Sequence, residues 1–299
     1  MRDEIRKIQE MMEAAEYVTD APVATSIHLA MRLRKPLLIE GPAGVGKTEV
    51  AKVMARMLAT NLIRLQCYEG LDASTALYEW NYQKQLLHIK LEEAGHNNRG
   101  MVEKEHEIFS EPFLLRRPML QAITQESQSP VLLVDEVDRS DEEFEAFMLE
   151  VFSDWQVTIP EIGTIKATHP PHVILTSNRT RELSDALRRR CLYLWIDYPT
   201  PDKEIRIIAR KVPGINGRLA SEIAKFMETL RQVRLAKVPG VAETLDWAQA
   251  LASLHADHID EALVGETLGC VLKDVDDMKR FRAEVAKTGL ATFLPAAAS

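Results

Sequence analysis

A glycine-rich stretch, residues 41–48, carries the clearest chemical signal in this chain of 299 residues. It reads Gly-Pro-Ala-Gly-Val-Gly-Lys-Thr and fits the pattern G-x-x-x-x-G-K-[ST]. Glycines let the backbone approach an anion closely, so its N–H groups and the start of the next helix form a positive cradle. In this pattern the lysine reaches the β- and γ-phosphates of a nucleotide, and the threonine hydroxyl ligates Mg²⁺. The stretch therefore predicts a nucleotide-binding P-loop rather than a turn that meets the pattern by chance.

The residues on either side of this stretch favour the same interpretation. Leu37, Leu38 and Ile39 form an apolar run typical of a buried parallel strand, and an amphipathic helical pattern follows Lys47. We therefore expect ATP and Mg²⁺ as cofactors. The predicted nucleotide-binding residues are Gly41, Pro42, Ala43, Gly44, Val45, Gly46, Lys47, Thr48 and Glu49.

An acidic pair at the end of a second apolar run is the expected partner of a P-loop. Residues 131–136 read Val-Leu-Leu-Val-Asp-Glu. Asp135 would hold Mg²⁺ through its water shell, and Glu136 would polarise the attacking water as general base. The ordinary alternative for such a pair is a helix N-cap, for which Asp138 and Ser140 compete.

A third strand-like run also ends in polar residues, since residues 172–179 read His-Val-Ile-Leu-Thr-Ser-Asn-Arg. Ligands bind at the carboxyl ends of parallel strands, so Asn178 is placed to position the lytic water or to sense the γ-phosphate. The alternative is an asparagine that only supplies a turn.

Three consecutive arginines, residues 188–190, precede a further apolar run. A guanidinium can stabilise charge on a transferring phosphoryl group, from its own subunit or from a neighbour. The alternative is a solvated helix end favoured by the helix dipole. The residues alone do not choose among Arg188, Arg189 and Arg190.

Composition narrows the class of protein. Hydrophobic residues make up 46% and charged residues 27%, and the net charge of −8 argues against a general surface for nucleic acid or anionic membranes. Cys67, Cys191 and Cys270 are far apart and form no C-x-x-C pattern. The start of the chain lacks the apolar region of a signal peptide, and no stretch approaches the length of a membrane span. We therefore expect a cytoplasmic protein with reduced thiols and no metal-ligand cluster of its own.

The order of the apolar runs predicts an α/β fold with a five-stranded, mainly parallel sheet between helices. The strand candidates lie at 36–40, 62–67, 130–134, 172–176 and 191–196. Pro199 and Pro201 end this alternation, and only helical patterns follow. We therefore expect a nucleotide-binding domain at 1–199 and a small all-helical domain at 200–299. The irregular stretch at about 82–112 is either an insertion on a compact core or a long solvated loop.

These blocks, in this order and with a helical tail, resemble the AAA+ ATPases over nearly the whole chain. Within that superfamily the chain looks like the MoxR family, because residues 135–140 (Asp-Glu-Val-Asp-Arg-Ser) are similar to D-E-I-N-R-A and residues 183–187 also match. Residues 66–72 and 111–118 look like the CoxD-like branch. That branch is associated with maturation of the molybdenum–copper carbon monoxide dehydrogenase.

The resemblance implies a P-loop AAA+ core with a helical lid, ATP hydrolysis, and a hexameric ring. It makes Arg190 the best match to the arginine that acts on a neighbouring subunit, with Arg189 next. Residues 82–112 lie where the family has its helix-2 insert, and about 156–167 resemble the hairpin before the sensor strand. Both would face the central pore. A von Willebrand factor A-domain protein and a client metalloenzyme are the implied partners.

One position departs from the pattern of many AAA+ proteins. A sensor arginine is expected near the start of the third helix of the second domain, and Glu243 stands there instead. Two other functions stay open from the residues. A nucleic-acid motor or loader is disfavoured by the acidic balance, and a nucleotide-gated assembly switch is disfavoured by the intact Asp135-Glu136 pair.

Overall fold

A computed structural model describes residues 2–94 and 107–295. The described chain forms two compact units. One takes in the described residues of 25–40 and 54–194, and the other takes in the described residues of 1–24, 41–53 and 195–299. The domain boundary near residue 200 stays a prediction. No helix among the described residues is long and apolar enough to cross a membrane.

Among the residues that the structure describes, strands alternate with helices up to residue 195, and helices alone follow. The strands are β1 (Leu37–Glu40), β2 (Leu62–Gln66), β3 (Tyr78–Trp80), β4 (Leu114–Arg116), β5 (Val131–Asp135), β6 (Gln156–Ile159), β7 (Gly163–Lys166), β8 (His172–Ser177) and β9 (Leu192–Trp195). The helices are α1 (Arg2–Ala14), α2 (Ala21–Leu33), α3 (Lys47–Met57), α4 (Ala73–Leu77), α5 (Tyr82–Ala94), α6 (Pro118–Ile123), α7 (Glu142–Asp154), α8 (Asp185–Arg190), α9 (Pro201–Lys211), α10 (Gly217–Leu230), α11 (Val241–Ser253), α12 (Glu261–Val271) and α13 (Val275–Thr288).

The main sheet has five strands in the order β2-β5-β8-β1-β9. The pairs β2–β5, β5–β8 and β8–β1 are parallel. All residues of β1 and β5 are buried, as expected for strands covered on both faces. The predicted fold class, an α/β core with a five-stranded, mainly parallel sheet followed by helices, is confirmed. Because the strands run parallel, the carboxyl ends of β5 and β8 lie at one edge.

Two short antiparallel ribbons form two-stranded sheets separate from the main sheet. The first joins β3 to β4, which no sequence pattern predicted, and the second joins β6 to β7 within the predicted 156–167 hairpin. The predicted insert at 82–112 begins with α5, continues through residues 95–106, which lie outside the described residues, and ends in a 3₁₀ turn at Glu111–Phe113.

The helices after β9 have an aromatic core of their own. The Phe226 ring lies 4.7 Å from Trp247 and 5.6 Å from Phe281 and Phe293. The buried indole of Trp247 donates a hydrogen bond to the Thr267 hydroxyl at 2.8 Å, which satisfies its polar atom. Apolar residues at helical spacing therefore pack these helices without a sheet.

Candidate functional site

The chain runs from β1 directly into the predicted P-loop, and α3 begins at Lys47. Lys47 is only 7% exposed. Its ammonium donates to the carbonyl oxygens of Gly41 at 2.8 Å and Pro42 at 2.6 Å. The lysine is therefore held by the loop's own backbone at the start of α3, where helix N–H groups favour an anion.

The loop's glycines adopt conformations that other residues avoid. Gly44 and Gly46 have positive φ angles of 74° and 93°. At Gly41 the constraint is steric, because a Cβ built there would lie 1.9 Å from the carbonyl oxygen of Ile196. Gly44 and Gly46 are thus required by their backbone angles, and Gly41, whose φ is 156°, is required above all by a close backbone approach.

We expect Gly41→Ala to lower the free energy of unfolding by about 1–3 kcal/mol or more, because backbone atoms must move to admit the methyl group. The same movement is expected to abolish nucleotide binding. Thermal unfolding and the affinity for a fluorescent ATP analogue measure the two effects. Gly217→Ala is the matched control, since a Cβ there meets nothing within 4 Å. A Gly41→Ala protein that binds nucleotide like the wild type would contradict this account.

Glu243, which stands where an arginine was expected, contacts the first turn of its own helix. Its Oε2 accepts from the Gly240 N–H at 2.8 Å, and the N–H of Val241 donates to the Gly44 carbonyl at 2.9 Å. A Cβ on Gly44 would lie 3.3 Å from Glu243 Oε2. The start of α11 therefore contacts the P-loop backbone, and the residue at the expected arginine position is a capping carboxylate.

The acidic pair at the carboxyl end of β5 is held by partners from β2 and β8. Asp135 is 3% exposed. Its Oδ1 accepts from the Thr176 hydroxyl at 2.5 Å and its Oδ2 from Arg64 Nη2 at 2.6 Å. Thr176 Oγ1 also accepts from the N–H of Glu136 at 2.9 Å. A fixed carboxylate with hard oxygen atoms suits Mg²⁺, so the residues present fit that ion.

Glu136 has an unusual backbone for a residue with a side chain, with φ 56° and ψ 49°. Its Oε2 accepts from Gln66 Nε2 at 3.2 Å and lies 3.3 Å from Arg139 Nε. Its Oε1 accepts from Asn178 Nδ2 at 3.5 Å. The left-handed conformation and the surrounding donors aim this carboxylate, which is a common arrangement at functional sites. The structure thus brings Glu136 and Asn178 together.

Asp138 organises the loop after β8. It is 3% exposed, and its carboxylate accepts from the N–H of Asn178 at 3.2 Å and from the N–H and hydroxyl of Thr180 at 2.8 and 2.7 Å. The N-cap of α7 is Asp141, which accepts from Phe144 N–H at 2.8 Å. Asp138 is therefore not the cap of that helix, and its charge fixes the backbone that carries Asn178.

The three arginines of α8 differ in their surroundings. Arg188 Nη2 donates to Glu40 Oε2 at 3.3 Å, and the same oxygen accepts from the Tyr193 hydroxyl at 3.0 Å. Glu40 is 1% exposed, so this pair is anchored inside the chain. Arg189 and Arg190 are exposed, and Arg189 lies 3.9 Å from Asp185. Burial and Glu40 raise the pKa of Tyr193, which keeps its hydroxyl proton in place.

The sequence matches a known domain family over most of its strand-containing part. The profile of the AAA domain (dynein-related subfamily) matches residues 36–191, slightly more than half of the chain. The chain belongs to this AAA family. Among curated relatives, an uncharacterized Staphylococcus epidermidis protein is 24% identical over 228 residues, covering 74% of this chain and 78% of that protein. A Staphylococcus aureus relative is 25% identical over 220 residues, covering 71% and 74%.

Solved structures agree with the fold of an AAA domain. A RuvB variant of Thermotoga maritima superposes with a TM-score of 0.52 at 19% identity, covering 96% of this chain and 76% of that chain. A second variant of the same protein has a TM-score of 0.50 at 20% identity, covering 90% and 73%. At this identity the likeness concerns the fold alone.

Sequence reasoning missed several polar groups of this AAA domain, namely Arg64, Gln66, the buried Glu40 and the organising role of Asp138. Two of them could have been found from the alternation of polar and apolar residues along β2. In the structure Arg64 and Gln66 are exposed, and Ile63 and Leu65 beside them are buried. Cys67 follows directly. Burial and the charge of Asp135 raise the pKa of its thiol to about 12, so it stays protonated at neutral pH.

Proposed function

We propose that this AAA-family chain hydrolyses ATP with Glu136 as the general base. The observation that carries the proposal is the convergence of Asp135 and Glu136 with Thr176 and Asn178 at the carboxyl ends of β5 and β8. Strand β1 lies next to β8 in the sheet, and the chain continues from it into the P-loop. Ligands of open parallel sheets bind at such an edge.

Each residue has a chemical role in this proposal. The P-loop N–H groups and Lys47 bind the phosphates, and Thr48 and Asp135 would hold Mg²⁺. When bound, the ion neutralises charge on the phosphate oxygens. Glu136 takes a proton from water as the water oxygen attacks the γ-phosphorus, and the bond to the bridging oxygen breaks to give ADP and phosphate. Asn178 holds the attacking water by its amide.

The finer part of the proposal rests on the resemblance to MoxR proteins. We propose a cytoplasmic hexameric ring in which Arg190, with Arg189 as the alternative, acts on the ATP of a neighbour. Its domains are 1–199 and 200–299. Its task is chaperone-like remodelling of a client metalloenzyme, such as a molybdenum–copper carbon monoxide dehydrogenase, together with a von Willebrand factor A-domain partner. The motif at 135–140 supports the MoxR family, and the stretches at 66–72 and 111–118 support its CoxD-like branch.

Phosphate release and molecular mass in solution test the proposal. The wild-type chain is expected to release phosphate from Mg-ATP, Lys47→Ala to release none, and Lys52→Ala, which removes an exposed lysine of α3, to behave like the wild type. Glu136→Gln is expected to assemble on Mg-ATP, as seen by light scattering. ATP binding without turnover in the wild type would favour an assembly switch, and stimulation by duplex DNA would favour a nucleic-acid motor.

A further inference from the structure

A histidine and two glutamates that are not among the residues assigned to ATP lie close together at α5. His88 Nε2 lies 3.5 Å from Glu107 Oε1 and 3.9 Å from Glu92 Oε1. Each residue offers one ligand atom, and these atoms all lie within 4.8 Å of one another. His88 and Glu92 are four positions apart on α5 and therefore share one helix face.

The imidazole nitrogen in this cluster is buried and makes no hydrogen bond to the part of the chain that the structure describes. Buried polar atoms without a partner are rare in native proteins, and a bound ion is one kind of partner that satisfies them. The side chain of Glu92 is only 12% exposed, so a carboxylate is held close to that nitrogen away from bulk water. The cluster thus has an imidazole nitrogen without a hydrogen bond to the described residues, next to a carboxylate that is largely shielded from water.

The surrounding contacts hold the cluster in place. Gln85, which is 5% exposed, donates its amide to the carbonyl of Ile108 at 2.7 Å, directly beside Glu107. The His88 ring lies edge-on to Phe113 with the ring centroids 5.3 Å apart. Ile108 and Phe113 both follow Glu107 in the chain. Their contacts with α5 therefore hold Glu107 near His88 and Glu92 by means of groups that are not ligands.

We propose that His88, Glu92 and Glu107 form a binding site for a divalent transition metal, with Zn²⁺ as the reference ion. Zinc binds imidazole nitrogen and carboxylate oxygen at about 2.0–2.2 Å, so tetrahedral ligand atoms lie about 3.3–3.5 Å apart. The 3.5 Å distance from Glu107 matches this range, and the 3.9 Å distance from Glu92 lies slightly above it. The imidazole ligand selects against Mg²⁺ and Ca²⁺, which take oxygen ligands.

Three protein ligands leave a fourth coordination position for water or for a group of another molecule. The site therefore differs in ligands and in ion from the predicted Mg²⁺ position at Thr48 and Asp135. The competing account is an imidazole that lies beside two carboxylates without binding a metal. That account predicts no metal affinity beyond that of an exposed surface histidine, so metal binding separates the two.

The test uses the full chain, stripped of metal with a chelator and free of nucleotide, and Zn²⁺ alone as the probe. Competition against a chromophoric zinc indicator at pH 7.5 is expected to show one site per chain. Affinity at that site is expected to fall at least about 100-fold in His88→Ala and at least about 10-fold in Glu107→Gln. His258→Ala removes an exposed imidazole outside the cluster and is the matched control.

Circular dichroism and binding of a fluorescent ATP analogue check that each variant folds. If His88→Ala does not fold, Glu107→Gln, which keeps the shape of its side chain, still tests the site. Absence of a zinc site in the wild type would overturn the proposal. So would a zinc site that keeps its affinity in both folded variants. Neither readout depends on ATP turnover, so the metal site and the ATPase stand or fall separately.

Discussion

Glu136→Gln is expected to bind Mg-ATP with nearly wild-type affinity and to hydrolyse it about 10²–10⁴-fold more slowly. The substitution keeps the size of the side chain but removes the group that accepts the proton of the attacking water. Because the left-handed backbone at residue 136 does not depend on the charge, the turn after β5 should persist. The measurement is steady-state phosphate release, together with the affinity for a fluorescent ATP analogue.

A matched control separates this effect from a general loss of negative charge. Glu142→Gln removes an exposed carboxylate from the first turn of α7 and is expected to leave turnover unchanged. If Glu136→Gln turned over ATP as fast as the wild type, Glu136 would have no part in proton transfer. A loss of ATP affinity as large as the loss of turnover would instead mean that the residue shapes the nucleotide site.

The sheet was predictable from the sequence because strands buried on both faces must be apolar at successive positions. All residues of β1 and β5 are buried, and the polar residues that end these runs are therefore conspicuous. The P-loop was predictable because its chemistry restricts residue types within eight adjacent positions. Local patterns thus identify the strands and the residues at their carboxyl ends.

The partners of those residues were not predictable, because they are distant in the chain. Gln66 and Glu136 are separated by 70 positions, Arg64 and Asp135 by 71. Their contact depends on the register of β2 against β5, which no single segment encodes. The same limit applies to the cluster at His88, since the expectation of no metal-ligand cluster came from linear spacing alone.

At Glu243 the sequence pattern located the position but did not reveal which group its carboxylate contacts. A departure from a family pattern says only which group is missing. The structure adds that this carboxylate accepts from the Gly240 N–H and lies close to Gly44. This contact depends on the turn that precedes the helix, so the sequence pattern alone does not reveal it.

Arg190→Ala is expected to lower turnover by about 10³–10⁵-fold while ATP affinity changes little, because a guanidinium supplied by a neighbour acts on charge that develops in the transition state. Arg190 is exposed at the end of α8. Arg188 is the informative contrast, since its guanidinium is bound to the buried Glu40. Arg188→Ala is expected to lower the melting temperature, because it leaves that carboxylate with fewer partners. If Arg190→Ala kept full activity, Arg189 would be the candidate.

Mixing two inactive variants tests whether the arginine acts between subunits. An Arg190→Ala subunit keeps its own Glu136, and a Glu136→Gln subunit keeps its own Arg190. In a mixed ring some sites combine an intact Glu136 with the arginine of a neighbour, so an equal mixture is expected to regain turnover that neither variant has alone. If the arginine acts within its own chain, no site in the mixture is complete, and activity stays at the level of the separate variants. The mixture therefore distinguishes a ring-coupled ATPase from a chain that carries its whole active site.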